Sequence, residues 1–244
     1  LDAMIENGRR LAVLPFAPER VRALENLSQS LLRHPRLRRD PAGAALAFWL
    51  RRANLAAFKA DFERSVVPGC RVPAGLVFHV APANVDTMFV YSWALSFLTG
   101  NANVVRLTTR GNALMDDLLE CLGDVLAADE AVTNGNVFVT YPHEDALTAR
   151  LSLLCDTRIV WGGDETVLRL RAVPLNPHAS ERSFASKRSL SAIVTDRYLN
   201  LDEAGRVRLA AAMTADIAPF GQMACSSPHV IYWIGAEKVG EARA

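Results

Sequence analysis

The sequence is poor in several features that would each have announced a function. Four cysteines in 244 residues (Cys70, Cys121, Cys155 and Cys225) are too few and too scattered for a disulfide scaffold. None forms a CxxC pair or a cysteine–histidine set at metal-ligand spacing, so no metal is expected. Reduced thiols in a cytoplasmic protein are the expectation. No run of eighteen apolar residues occurs, so no transmembrane helix is expected. No signal peptide is visible in a chain that opens on Leu1. Charge bias is missing too. With 27 Lys and Arg against 26 Asp and Glu, the net charge is +1, and nothing draws the chain as a whole to nucleic acid or an anionic membrane. The local cluster Arg33, Arg36, Arg38 and Arg39 reads as a solvated loop. Internal repeats and the GxGxxG dinucleotide fingerprint are absent.

What is present is an ordinary globular balance, half apolar and 22% charged, long enough for one large domain or a domain with a smaller lobe. The opening residues read as helical. Val21, Leu24, Leu27 and Leu31 recur at helical spacing after Pro18, and Pro35 ends that helix. A second helix is expected from Pro41 to about Val66, with Leu46, Trp49, Leu50, Ala53, Ala57 and Phe58 as its apolar face. From Pro68-Gly69 the pattern changes. Short apolar runs at Leu76–Val80, Asn103–Leu107, Val137–Thr140, Arg158–Trp161 and Ser191–Val194 read as strands. They alternate with helical stretches at Thr87–Leu98, Asn112–Leu126, Glu144–Leu154, Glu165–Arg171 and Leu201–Ala215. That alternation predicts an α/β fold: a Rossmann-like parallel sheet with helices on both faces, preceded by a helical segment. The expected division is a helical segment over 1–66, a cofactor-binding α/β domain over 67–220, and the start of a catalytic domain over 221–244.

Four places invite a chemical reading. Gly221-Gln222-Met223-Ala224-Cys225-Ser226-Ser227-Pro228 sets one cysteine among small residues, just before the apolar run Val230–Ile234. A nucleophilic thiol needs small neighbours, access, and N–H groups for a developing oxyanion. Packing as a small apolar residue is the bland alternative for any cysteine, and Cys121 and Cys155, at helical spacing among leucines, fit it. Trp161-Gly162-Gly163-Asp164-Glu165-Thr166 follows a strand and opens a helix, where glycines admit a pyrophosphate and the helix terminus favours an anion. An ordinary capping turn with Asp164 as the cap explains the same residues. Pro82-Ala83-Asn84 lies at the carboxyl end of a strand, where an Asn amide can support an oxyanion or simply make a turn. Arg106, at the end of the next strand, suits an adenosine ribose or 2′-phosphate, or a strand terminus. His79, inside an apolar strand, reads as a satisfied core residue.

The order of these motifs is more specific than any one of them. Val72-Pro73-Ala74-Gly75-Leu76-Val77-Phe78-His79-Val80-Ala81-Pro82-Ala83-Asn84-Val85, then Ser92-Trp93-Ala94, then Leu98-Thr99-Gly100-Asn101-Ala102-Asn103-Val104-Val105-Arg106, resembles the aldehyde dehydrogenase superfamily. Ile159–Val167 and Ala224-Cys225-Ser226-Ser227-Pro228 continue the match. The closer resemblance is to the long-chain fatty-acyl-CoA reductases of the bacterial bioluminescence type, which supply aldehyde to luciferase. It covers roughly residues 70–234. The resemblance implies that Cys225 takes the acyl group from coenzyme A and that Asn84 supports the oxyanion. It implies that Pro82, Arg106, Gly162, Gly163 and Thr166 line a nicotinamide cofactor, with NADPH expected and NADH as the alternative. Arg106 stands where the wider superfamily often has a lysine.

Two departures from that pattern matter. The superfamily's Glu-Leu-Gly-Gly-Lys segment corresponds here to Phe184-Ala185-Ser186-Lys187-Arg188-Ser189-Leu190, which has no carboxylate. That glutamate activates the water of aldehyde oxidation, so its absence suits reductive acyl exchange. The chain also stops at Ala244, whereas the family's catalytic domain continues further, so a fragment or truncated product is expected. The function the resemblance implies is NADPH-dependent reduction of a fatty acyl-CoA to a fatty aldehyde through a cysteine thioester. A non-catalytic nucleotide-binding or scaffold module, and an oxidative aldehyde dehydrogenase, are the alternatives. Expected partners are acyl-CoA or another acyl thioester, with a second copy of the chain or an acyl-transferring enzyme as further candidates.

Overall fold

The computed structural model describes residues 13–64, 71–142, 145–235, 240 and 242. The chain divides into two compact units, Leu1–Ala185 and Ser186–Ala244.

In the first unit, helix α1 (Pro18–Arg33) begins on a proline, whose missing N–H would have had no helical partner in the first turn. It buries Leu24, Leu27 and Leu31. Asp40 caps α2 (Pro41–Trp49), its carboxylate accepting from the Ala42 and Gly43 N–H groups at 2.9 and 3.0 Å. The single helix expected from Pro41 is two, α2 and α3 (Arg52–Arg64). The break has a local cause. The Asn54 side-chain amide donates to the Phe48 carbonyl at 2.8 Å, the acceptor that the Arg52 N–H would take in an unbroken helix. The expected helix end at Val66, the boundary after it, and Cys70 lie outside the described residues.

Strands β1 (Leu76–Val80), β2 (Ala102–Leu107), β3 (Asn136–Thr140), β4 (Thr157–Trp161) and β5 (Ser180–Phe184) form one parallel sheet in the order β3-β2-β1-β4-β5. Helices α4 (Met88–Leu98) and α5 (Ala113–Ala127), with the short α6 (Glu130–Thr133), follow β1 and β2. Helices α7 (Asp145–Leu154) and α8 (Asp164–Arg171) follow β3 and β4. Alternating strand residues face two cores. Val105 and Leu107 pack with Trp93, Phe97, Leu118 and Leu122 on one face. Phe78, Val80, Val104 and Val137 pack with Leu151, Val167 and Leu170 on the other. This is the expected α/β architecture, a parallel sheet with helices on both faces.

One strand assignment needs correction. The fifth strand of this sheet is Ser180–Phe184, which the hydrophobic pattern misses because Ser180-Glu181-Arg182-Ser183 is polar. It is held by its neighbour instead. Arg158, buried on β4, donates to Glu181 at 2.8 Å through Nε, and Arg171 reaches the same carboxylate at 3.1 Å. Charged residues suit this edge position, where they discourage further pairing.

The second unit holds the strand that had been expected in the main sheet. Strand β6 (Ser189–Val194) pairs in parallel with β7 (Pro228–Ile234), with Leu190 opposite Val230 and Ile193 opposite Trp233. Helices α9 (Thr195–Leu199) and α10 (Glu203–Ile217) lie between them in sequence. The boundary drawn near residue 220 therefore falls inside this unit. Backbone pairing with β7, which a short apolar run does not reveal, decides where β6 belongs.

Candidate functional site

The sheet order reverses at β1, with β2 and β3 on one side and β4 and β5 on the other. Open α/β sheets bind ligands outside the carboxyl ends of the strands at such a reversal. Val80, near the end of β1, stands opposite Arg106 on one side and Val160 on the other. The fold thus carries Pro82, Asn84, Arg106, Gly162 and Gly163, which lie in three separate segments of the sequence, to one edge.

The segment after β1 is tied back at both ends. The Ala81 N–H donates to the Arg106 carbonyl at 3.0 Å. Farther along, Asp86 accepts from Asn112 Nδ2 at 2.8 Å, while Asn112 Oδ1 caps α5 by accepting from Leu114 and Met115. Asn84 sits exposed between these anchors, and Pro82 is half-buried. The half-buried Arg106 has its guanidinium 4.7 Å from the Tyr141 ring centroid, with Nη2 donating to the Tyr141 carbonyl at 3.4 Å. Nothing in the sequence marks the Tyr141 ring as the floor beneath Arg106.

The turn after β4 corrects one detail. Gly163, with φ −66° and ψ 166°, is the residue that caps α8, and Asp164 is the first residue inside the helix. A glycine cap offers no side-chain acceptor to the N–H groups of the first turn, the end of a helix that favours an anion. Asp164 and Glu165 in that first turn already complement the helix dipole, which reduces the attraction for a second anion. Gly162 has a separate reason to be glycine. A Cβ there would lie 2.9 Å from Thr166 Cγ2 and 3.0 Å from Thr166 Cβ. Its N–H donates to the Phe184 carbonyl at 3.3 Å, extending the pairing of β4 with β5.

In the second unit Cys225 is exposed, whereas Cys121 and Cys155 are buried. Burial pushes the Cys121 thiol up, helped by Glu120, Asp124 and Asp117 and opposed by a hydrogen bond with Ser30. The Cys155 thiol points at the Ser152 carbonyl, 3.5 Å away. A nucleophile needs access and thiolate character, and among the described cysteines Cys225 alone has the access. Phe220, Gly221 and Gln222, just ahead of it, take left-handed φ of 57°, 58° and 65°. Two of the three are not glycine, a strained arrangement of the kind that concentrates at functional loops. The turn is braced on the far side, where Gln222 Nε2 donates to the Pro228 carbonyl at 3.1 Å and Ser189 Oγ to the Cys225 carbonyl at 2.7 Å.

His79 is fully buried, with Ser92 Oγ 2.8 Å from Nδ1 and Asn103 Oδ1 3.1 Å from Nε2. Burial pushes its pKa down to about 4, although the Asn103 hydrogen bond acts the other way. No functional role for Ser92, Asn103 or Asn136 is legible in the sequence, where the one signal is that Asn103 and Asn136 are asparagines at buried positions of otherwise apolar strands.

Comparison with known proteins identifies the family and the fold. The family described as acyl-CoA reductase (LuxC) matches residues 52–242. No curated protein matches the chain. Among solved structures, a putative aldehyde dehydrogenase from Burkholderia cenocepacia superposes with a TM-score of 0.71 at 18% identity, covering 99% of this chain and 54% of that one. PnpE from Pseudomonas sp. WBC-3 superposes at 0.70 and 16% identity, covering 98% and 52%. The glyceraldehyde-3-phosphate dehydrogenase GapN of Methanocaldococcus jannaschii, complexed with NADP, does so at 0.66 and 14%, covering 99% and 56%. The chain spans about half the length of these structures, and the fold it shares with them is that of the aldehyde dehydrogenases. With its family matched over most of its length, the chain belongs to the acyl-CoA reductase (LuxC) family.

Proposed function

We propose that the complete protein reduces a fatty acyl thioester, with acyl-CoA as the donor, to the aldehyde, and that Cys225 carries the acyl group. The observation that carries this reading is the exposed Cys225 thiol in a strained small-residue loop, inside the stretch matched by the family. The Cys225 thiolate attacks the thioester carbonyl, the C–S bond to coenzyme A breaks, and the coenzyme A thiolate leaves and takes up a proton. The acyl group is then held as a Cys225 thioester. Reduction of that thioester yields a thiohemiacetal, whose collapse releases the aldehyde and restores the Cys225 thiolate. Overall, acyl-CoA, NADPH and a proton give aldehyde, coenzyme A and NADP. Asn84 Nδ2 is proposed as an oxyanion donor, the role the family resemblance implies.

A nicotinamide cofactor fits the first unit at the sheet's reversal point. Gly163 leaves the first turn of α8 without a capping side chain, and Arg106 lies near the end of β2, on the other side of β1 from β4. When bound, the reduced nicotinamide supplies the hydride. Pro82, Gly162, Gly163 and Thr166 are proposed to shape its site, and the Arg106 guanidinium to favour the 2′-phosphate of NADPH over NADH. Neighbours solved with NAD and with NADP support a nicotinamide cofactor of either kind. The absence of Asp and Glu from residues 184–190 supports reduction over water-dependent oxidation. No described helix is long and apolar enough to cross a membrane. A cytoplasmic location remains part of the proposal, as does assembly with a second copy or an acyl-transferring enzyme.

The test is incubation with a panel of acyl-CoA chain lengths, read by intact mass and peptide mapping. An acyl adduct on Cys225 is expected. Acylation confined to Cys121 or Cys155, or none with the full-length protein, would refute the assignment.

A further inference from the structure

A buried polar chain crosses the main sheet beneath α4 and ends at the turn proposed to meet the cofactor. It links Trp93 and Asn136 at one end to Trp161 at the other, through Asn103, His79 and Ser92. Its two ends are indoles, which can only donate, and they set the direction of every bond between them. Trp93 Nε1 donates to Asn136 Oδ1 at 2.9 Å, so the Asn136 amide nitrogen faces the Val132 carbonyl, to which it donates at 2.9 Å. Asn103 Nδ2 donates to that same Asn136 oxygen at 3.0 Å. Asn103 Oδ1 is therefore the atom turned to His79, whose Nε2 must carry the proton. A neutral imidazole protonated at Nε2 accepts at Nδ1, so Ser92 O–H donates to it. The Ser92 oxygen keeps a lone pair, and Trp161 Nε1 donates into it at 3.1 Å.

Trp161 is the last residue of β4, and Gly162 follows it. The pairing of β4 with β1 stops one residue earlier, at Val80 opposite Val160. On the β5 side Trp161 is held twice, by pairing opposite Phe184 and by stacking on that ring with centroids 3.9 Å apart and planes 9° from parallel. On the β1 side its indole bond to Ser92 takes over from the backbone. Gly162 and Gly163 leave the sheet from this doubly braced point.

We infer that Ser92 is a positioning residue: through its hydroxyl, oriented by His79, it fixes the Trp161 indole and so the course of the Gly162-Gly163 turn toward the cofactor. This rests on the proposed nicotinamide site at that turn.

The test combines Ser92→Ala, Trp161→Phe and the double variant in the full-length protein. Trp161→Phe keeps a ring against Phe184, leaves the Ser92–His79 pair intact, and serves alone if Ser92→Ala does not fold. Two readouts are taken. The first is the indole N–H spectrum of protein labelled with 15N-tryptophan. The second is the Kd for NADPH and NADH by nucleotide fluorescence. In Ser92→Ala the Trp161 indole signal is expected to move and exchange faster with solvent, while that of Trp93, bonded to Asn136, stays in place. Each single variant is expected to bind cofactor roughly three- to ten-fold more weakly, as the loss of one hydrogen bond allows, with the double variant no worse than the poorer single. An unmoved Trp161 signal in Ser92→Ala overturns the inference. So does cofactor binding that is unchanged in both single variants, or losses that multiply in the double. If the wild-type protein binds neither nucleotide, the cofactor reading falls and takes the inference with it, whereas wild-type binding with unaffected variants overturns the inference alone.

Discussion

Replacing Gly162 by alanine asks whether this glycine serves packing or the ligand. The added Cβ would sit 2.9 Å from Thr166 Cγ2 and 3.0 Å from Thr166 Cβ. Thr166 is β-branched and lies in the first turn of α8, so its χ1 has little freedom to swing aside. The alternative is a shift of α8 away from β4, which would loosen Val167 and Leu170, both buried beneath the sheet. Overpacking of this kind costs about 1–3 kcal/mol, or a fall in Tm of roughly 2–12 °C for a protein of this length. Gly163→Ala is the control. Its φ of −66° suits any residue, and the weaker capping of alanine costs about 1 kcal/mol or less. The two glycines are thus expected to separate. Gly162→Ala lowers Tm without ligand, and Thr166→Ala in the same chain restores it by removing the methyl that clashes. Gly163→Ala melts near the native value yet loses cofactor affinity, because the new methyl crowds the approach to the first turn of α8. Thermal melts with and without nucleotide, on the wild type and all three variants, decide the matter. A native Tm for Gly162→Ala, or failure of Thr166→Ala to recover it, would refute the packing argument. Unchanged nucleotide affinity in Gly163→Ala would reduce the turn to a helix start.

Three further outcomes are expected. Cys225→Ala in the full-length enzyme abolishes aldehyde formation while nucleotide binding stays near normal; a retained acyl adduct by intact mass would count against the nucleophile. Arg106→Ala weakens NADPH binding by roughly ten- to a hundred-fold and NADH binding much less, and equal losses in a nucleotide titration would reduce Arg106 to a brace on Tyr141. Acid stability reports on His79, whose pKa in the folded protein is about 4 against an ordinary 6.5. The unfolded chain takes up this proton first, so the contribution of neutral His79 is complete above pH 6.5 and is lost as the pH falls toward 4. The loss comes to roughly 3 kcal/mol. Urea unfolding between pH 7 and pH 4 should show this slope in the wild type and a shallower one in His79→Gln; identical slopes would show that other groups govern it.

The sequence by itself determined the parts that depend on local chemistry. Apolar runs bounded by Gly, Pro and Asn marked β1 to β4, because parallel strands covered on both faces need apolar residues throughout. Pro18, Pro41 and Asn112 marked helix starts through the first-turn geometry they satisfy. The order of motifs from Val72 to Pro228 carried the family. The tertiary structure decided whatever depends on a distant partner. β5 is a strand because Arg158 and Trp161, across the ladder, and Arg171, at the end of α8, meet Glu181 and Phe184, and no local pattern in Ser180–Phe184 encodes that. β6 leaves the main sheet because β7 offers it a backbone. Arg106 has a floor only because β2 lies beside β3, which brings Tyr141 under it. His79, Ser92 and Trp161 come from three segments read separately, and only the stacking of α4 on the sheet joins them into one hydrogen-bonded chain. Local propensity and hydrophobic period act over a few residues, whereas these contacts join positions whose proximity exists only once the chain has folded.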